Sequence, residues 1–308
     1  MSAATSPARK LRAGRRTVEI NRPDKVLFPR DGLTKADLAE YYRSAARAML
    51  PHLRGRPLML ERHPDGIDGE GFMQKDVPDY FPDWVHTAEL PKEDGSVTHV
   101  LCDDTATLLY LADQACITPH RWLAKADRPD CPDRLVFDLD PPADDFAPVR
   151  EAAGLLHDLL DELRLPSALM TTGSRGLHVL VPLDRRTPFD DVRAFARDAA
   201  ELLAGRHPDR LTTEPRKDAR RHRLYLDVQR NAYAQTAVAP YAVRALPGAP
   251  IATPLAWPEL DEPGLAAQRW TLETIGERLH DNPWRDSLRR GRSLTPARRR
   301  LARLCRAG

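Results

Sequence analysis

Two aspartates one residue apart close an apolar run in "RLVFDLDPP", so Asp138 and Asp140 stand where a strand pattern calls for Val or Ile. Alternate side chains of a β-strand share a face. Leu135, Phe137 and Leu139 therefore point one way, and Val136, Asp138 and Asp140 the other. Two carboxylates this close repel and raise each other's pKa unless a cation sits between them. Hard oxygen ligands suit Mg²⁺ or Mn²⁺. A third carboxylate, Asp227, lies in "RHRLYLDVQRN", where Leu224 and Leu226 share one face and Tyr225 and Asp227 the other. Three carboxylates on neighbouring strands can hold two divalent ions about 3.5–4 Å apart for in-line phosphoryl transfer. For the Asp-x-Asp pair alone, two exposed acids at a strand end are the plain alternative.

The stretch "TTGSRGLHVLVPL" adds groups suited to a triphosphate beside such a metal site. Gly173 and Gly176 permit a tight turn that presents N–H groups to an anion. Thr172 and Ser174 add hydroxyls, Arg175 a charge, and His178 opens the next strand. An ordinary glycine-containing hairpin is the alternative. Basic residues also gather near Asp227: Arg216, Lys217, Arg220, Arg221, Arg223, Arg230 and, further on, Arg244. Strand alternation places Arg221, Arg223, Tyr225 and Asp227 on one face, which aims two cations along the carboxylates.

The elements that must position these residues follow from periodicity and punctuation. Thr34 is the expected N-cap of a helix whose stripe is Leu38, Tyr41, Tyr42, Ala45 and Met49. "HTAEL" and "SVTHVLC" pair across "PKEDG". "DTATLLYLADQAC" is a helix capped by Asp104 or Thr105. "RLVFDLD" is a strand broken by Pro141 and Pro142. Helices over "APVREAAGLLHDLLDELR" and "FDDVRAFARDAAELLAG" flank a hairpin of "SALMTT" and "LHVLVPL". A mixed sheet with helices on one face is expected. The Pro-rich "LPGAPIATPLAWPELDEPG" is expected to wrap a surface, with a final helix around "LETIGERL". The expected division is a flexible basic arm over 1–16, an N-terminal α/β module over 17–125, a catalytic core over 126–284 and an Arg-rich tail over 285–308.

The chain has 308 residues, 42% hydrophobic and 30% charged, with net charge +2. It is no uniformly basic nucleic-acid glove, although both ends are Arg-rich. No run approaches 18 apolar residues and no secretory signal opens the chain, so a cytoplasmic protein is expected. Cys102, Cys116, Cys131 and Cys305 form no Cys-x-x-Cys pair and read as buried reduced thiols.

Together, "FDLDPP", "TTGSRGLH", "LYLDVQRNAYAQTAVAPYAVRALPGAPIATPLAW", "RPDKVLFPRDGLTKADLAEYY" and "PDGIDGEGFMQKD" closely resemble one family over about residues 17 to 283. It is the polymerase domain of bacterial ligase D-type end-joining proteins, a branch of the archaeo-eukaryotic primase superfamily. The resemblance implies an α+β fold: a primase-type core with a mixed, RNA-recognition-like sheet, plus an N-terminal module. It makes Asp138, Asp140 and Asp227 the metal triad and His178 a contact to the incoming nucleotide. Thr172 keeps the hydroxyl of a usual Ser. His120, in "ITPHRWL", and Arg244 match triphosphate-binding residues. Lys25 and Lys35 match lysines that grip the 5′-phosphate downstream of a DNA gap, and Phe72 an aromatic that stacks on the template. Two departures stand out: Met73 replaces a second aromatic, and Leu246 replaces a second Arg beyond Arg244.

By this resemblance the chain fills short gaps at DNA breaks with two ions, Mn²⁺ or Mg²⁺, uses ribonucleotides readily, and works in the bacterial nucleoid with a Ku-like end-binding protein and an ATP-dependent DNA ligase. Its DNA would carry gaps, overhangs or double-strand-break ends. Primer synthesis from scratch and non-catalytic end binding that recruits a ligase are the rival readings. A haloacid dehalogenase-type phosphatase is disfavoured because Pro142 occupies the Thr position of that family's motif.

Overall fold

The structure, a computed structural model, describes residues 6–141, 143 and 145–307; Pro142, expected to help break the strand after Asp140, lies outside the described residues. The chain forms two units, each assembled from separate stretches of sequence. One joins Met1–Trp122, Val238–Ala252 and Trp270–Asp281; the other joins Leu123–Ala237, Thr253–Arg269 and Asn282–Gly308. This differs from the contiguous division expected, because late segments return to complete the first unit's hydrogen bonding. The Tyr41 hydroxyl donates to the Tyr241 carbonyl at 2.7 Å, and the Thr118 hydroxyl to the Val243 carbonyl at 2.8 Å.

In the first unit, β1 (Arg9–Ala13) and β2 (Arg16–Ile20) pair antiparallel and turn at Gly14, whose φ is 62°. Leu11, Ala13, Val18 and Ile20 are buried, while the arginines alternate outward. The stretch expected as a flexible arm is therefore, from Arg9, a hairpin; its apolar–basic alternation is a strand's own signature. After the short β3 (Val26–Phe28) and β4 (Leu33–Thr34), α1 (Lys35–Leu53) starts in a capping box. The Thr34 hydroxyl accepts from the Asp37 N–H, and the Asp37 carboxylate accepts from the Thr34 N–H at 2.8 Å. The expected stripe of α1 is buried and faces α2 (Thr105–Asp113), which Asp104 caps. β5 (Leu58–Arg62) pairs with β6 (Phe72–Gln74), β7 (Thr87–Lys92) pairs with β8 (Gly95–Val100) as expected, and β9 (Cys116–Trp122) runs antiparallel to β5.

The second unit is built on a six-stranded sheet. β10 (Arg134–Asp140) lies inside it, with β11 (Ala168–Thr171), β12 (Leu177–Pro182), β13 (Leu211–Thr212) and β14 (Leu224–Asp227) around it. The order is β13-β14-β10-β12-β11-β16, the edge β16 being Pro254–Leu255; β15 (Thr236–Val238) belongs to the sheet that contains β9 and β5. All pairs are antiparallel except β13 with β14, so the sheet is mixed, as expected. α3 (Ala147–Glu162) and α4 (Phe189–Arg206) pack on it through Val149, Ala152, Leu156 and Phe195, and α5 (Leu294–Ala307) packs on α4.

Three expectations change. The final helix expected around "LETIGERL" is only a 3₁₀ turn, Glu277–His280, and the C-terminal helix is α5 inside the Arg-rich tail. The Pro-rich stretch does more than wrap a surface: Ala249, Ile251, Ala252 and Leu255 are buried. Pro254 sits on an edge strand, where its missing donor is tolerated. Cys102 and Cys116 are buried, but Cys305 is exposed on α5. Among the described residues, no helix is long and apolar enough to cross a membrane.

One buried side chain completes the ladder beside β10. Where β14 ends, fully buried Asn231 accepts from the Val136 N–H at 2.9 Å and donates to the Val136 carbonyl at 2.7 Å and the Val228 carbonyl at 2.9 Å. It stands in for a missing strand residue, because buried backbone groups must be paired. Asn231→Ala should therefore cost about 2–5 kcal/mol, from leaving Val136 unsatisfied. A chemical-denaturation midpoint close to wild type would contradict this.

Candidate active site

Strand register brings the carboxylates together. In the second unit, Asp138 on β10 lies directly opposite Asp227 on β14 and His178 on β12, and Asp140 lies opposite Tyr225. β10 has no polar side before its end: Leu135, Val136, Phe137 and Leu139 are all fully buried, and Asp138 is 7% exposed. An Asp138 oxygen lies 3.4 Å from His178 Nε2, and the other 3.6 Å from Arg230 Nε. Burial works against the Asp138 carboxylate, but His178 and Arg230 outweigh it and hold its pKa below the usual range. Asp140 is pushed up by desolvation and by the charge of Asp138. Asp227 is also pushed up, by burial and by Asp138, although it accepts from the Gln229 N–H at 2.7 Å.

One carboxylate is thus held low by its protein neighbours, while the charge on the other two is disfavoured. Such a set of hard oxygens fits a divalent cation of the Mg²⁺ or Mn²⁺ type. Among the described residues, no three acidic, His or Cys side chains are already gathered as ligands of one ion. Asp138 turns to His178 and Arg230, and Asp227 to the Gln229 N–H.

The β11–β12 turn sits hard against this strand. The Thr172 hydroxyl accepts from the Ser174 N–H at 3.3 Å and the Gly176 N–H at 3.1 Å, so it shapes the turn. A Cβ on Gly176 would come within 2.0 Å of the Leu139 carbonyl oxygen and 2.9 Å of an Asp140 carboxylate oxygen, so only glycine fits there. The Arg175 guanidinium donates to the Pro141 carbonyl at 3.0 Å. The Ser174 carbonyl accepts from the Gln268 amide at 2.9 Å. His178 is 4% exposed, and its Nδ1 has no hydrogen-bond partner among the described residues.

The expected row of Arg221, Arg223, Tyr225 and Asp227 is not formed. β14 starts only at Leu224, and Arg221 and His222 have φ of 50° and 65°, which breaks the alternation. Arg223 instead donates to the Arg220 carbonyl at 2.9 Å. The cations at this strand are Arg220, 4.1 Å over the Tyr225 ring, and Arg230. A turn of three residues after Asp227 was the signal for Arg230.

In the first unit, His120 Nε2 lies 3.1 Å from one Glu61 oxygen, and His63 Nε2 lies 3.5 Å from the other. Burial opposes the Glu61 charge, but His120 and Arg244 hold its pKa down to about 2. Glu61 is a functional candidate that the sequence reading missed; the "ERH" run, with His63 two residues on, carried the hint. Lys25 and Lys35 are neighbours, the Lys35 N–H donating to the Lys25 carbonyl at 2.8 Å. Lys25 Nζ lies 2.6 Å from an Asp65 oxygen. Buried Lys35 donates to the Asp113 carbonyl at 2.8 Å, and burial lowers its pKa despite that acid. Phe72 is exposed, with the Arg62 guanidinium 5.3 Å over its ring. Arg62 also donates to the hydroxyl of exposed Tyr80 at 2.9 Å, so a second ring stands near the position where Met73 departs from the resemblance.

Residues 34–285 match the family model of the LigD primase-polymerase domain. The LigD end-joining DNA repair protein of Mycobacterium tuberculosis strain H37Rv is 33% identical over 262 residues, covering 82% of this chain and 34% of that protein. Its Pseudomonas aeruginosa counterpart is 34% identical over 294 residues, covering 94% and 35%. The chain thus spans about a third of these relatives' length. The solved polymerase domain of M. tuberculosis ligase D in complex with DNA has a TM-score of 0.81 at 31% identity, covering 88% of this chain and 96% of that one. With its carboxylate strand, glycine turn and α+β architecture, the chain belongs to the LigD primase-polymerase domain family.

Proposed function

We propose that this chain is a template-directed nucleotidyltransferase that fills short gaps at broken DNA ends during non-homologous end joining. The observation that carries the reading is the register that sets Asp227 and His178 on either side of Asp138, two residues from Asp140. Two divalent ions held by Asp138, Asp140 and Asp227 would, when bound, supply Lewis acidity to the primer 3′-hydroxyl and to the leaving pyrophosphate. The protein's own residues do the rest. His178, Thr172, Ser174 and Arg175 orient the nucleotide beside the carboxylates, and His120 and Arg244 neutralise triphosphate oxygens as charge develops. Lys25 and Lys35 take the 5′-phosphate, and Phe72 stacks on the template. Ribonucleotides are accepted readily, Mn²⁺ supports the reaction, and the chain works in the bacterial nucleoid with a Ku-like protein and an ATP-dependent ligase.

The test is nucleotide addition to a duplex with a one-nucleotide gap, in Mn²⁺, with 5′-phosphate or 5′-hydroxyl downstream ends and rNTPs or dNTPs. Templated addition stimulated by the 5′-phosphate is expected. Product without a primer would favour the primase reading, and binding without addition the end-binding reading.

Asp138→Ala with Asp140→Ala should lower addition by about 10³-fold or more while leaving end binding intact; a parallel loss of both would contradict the assignment. Lys25→Gln should abolish the 5′-phosphate stimulation. Asp65→Asn should tighten binding of 5′-phosphorylated ends, since Asp65 competes with phosphate for Lys25; unchanged affinity would count against that role. Glu61→Gln should raise the nucleotide KM with little change in kcat, because part-buried His120 loses the carboxylate that orients it. The Glu61 pKa is depressed to about 2 from 4.5, so the stabilisation it gives is present above pH 4.5 and lost as pH falls towards 2. The variant's acid-unfolding profile should be flatter over that window, and an identical profile would refute the linkage.

A further inference from the structure

We infer that the exposed arginine face of α5 is a second, sequence-independent contact for the phosphate backbone of duplex DNA. The inference goes beyond the proposed gap filling and rests on it only in taking DNA as the partner. α5 holds five arginines and no acid. Its apolar side is anchored by Leu294, Ala297 and Leu301, at i, i+3 and i+7, all 3% exposed or less. Two arginines help to anchor it. Arg298 donates to the Asp191 carbonyl at 2.5 Å and lies 3.3 Å from its carboxylate, and Arg300 donates to the Leu163 carbonyl at 3.1 Å.

The other three differ. Arg299, Arg303 and Arg306 are exposed, fall at i, i+4 and i+7, and have no hydrogen-bond or ion-pair partner among the described residues. Arg289, Arg290 and Arg292, also exposed, lead into the helix. Like charges at i, i+4 destabilise a helix by themselves, so packing alone gives no reason for this stripe. It spans about 10 Å at 1.5 Å per residue. A DNA strand presents a phosphate about every 3.4 Å along the axis, so the stripe can meet about three of them. An anionic membrane fits less well, because an interfacial helix needs exposed Trp, Phe or Leu and the leucines at 294 and 301 face inward.

The test uses the full chain, an R299Q/R303Q/R306Q variant and the charge-keeping R299K/R303K/R306K variant. The dissociation constant of a blunt duplex with 5′-hydroxyl ends is measured against salt concentration. The Gln variant should lose about 2–3 units from the slope of log K against log salt, while the Lys variant keeps the slope. Thermal unfolding identifies any variant that fails to fold, and the Lys variant then carries the comparison with Arg289, Arg290 and Arg292 changed to Gln as a second set. An unchanged slope in folded Gln variants overturns the inference, as does preferential loss of binding to phosphatidylserine vesicles with DNA binding intact. Nucleotide addition, followed separately, reports on the catalytic reading: a wild type that adds no nucleotide, with the slope still reduced in the Gln variant, refutes that reading alone.

Discussion

A carboxylate in the middle of a β-sheet is costly, and much of the second unit can be understood as an answer to Asp138. Its neighbours across both ladders are an acid and a histidine, and an arginine from the turn after β14 reaches its second oxygen. His178 and Arg230 hold its pKa low against its burial, and its charge adds to the burial that drives up Asp140 and Asp227. The glycine turn is drawn against the same strand so closely that no side chain fits at residue 176. Asn231 meanwhile keeps β10 paired beyond the end of β14, which holds the register that sets the acids side by side.

The first unit applies the opposite arrangement to its cations. Lys25 is held by Asp65, Lys35 by Asp113, and His120 by Glu61. Each of these three groups, which the proposed function assigns to an anion, sits against a protein carboxylate. A resident acid keeps a partly buried cation charged and oriented. On that proposal, exchange of carboxylate for phosphate would require little rebuilding of the site.

Local signals read well from the sequence: the Thr34 and Asp104 caps, the two hairpins and the acid-bearing strand are where periodicity puts them. Non-local ones read poorly. Arg221 and Arg223 fit a strand on paper, but two left-handed residues delay its start to Leu224. Basic composition hid the apolar stripe Leu294, Ala297 and Leu301 of α5 and the alternation of β1 with β2. The acids paired with Lys35 and Lys25 lie 78 and 40 residues away, a pairing that only the fold supplies.

The interleaving of the two units bears on how the chain emerges from a ribosome. Residues up to Trp122 could collapse early, yet the unit they belong to also needs Val238–Ala252 and Trp270–Asp281. Tyr41, Tyr42 and Thr118 have main-chain partners that are made more than a hundred residues later. Until then the hydroxyl of Tyr41 has no Tyr241 carbonyl to meet, and contacts of such sequence separation are the slow ones to close. Vectorial synthesis therefore cannot finish the lysine-bearing half before Trp270–Asp281 is made.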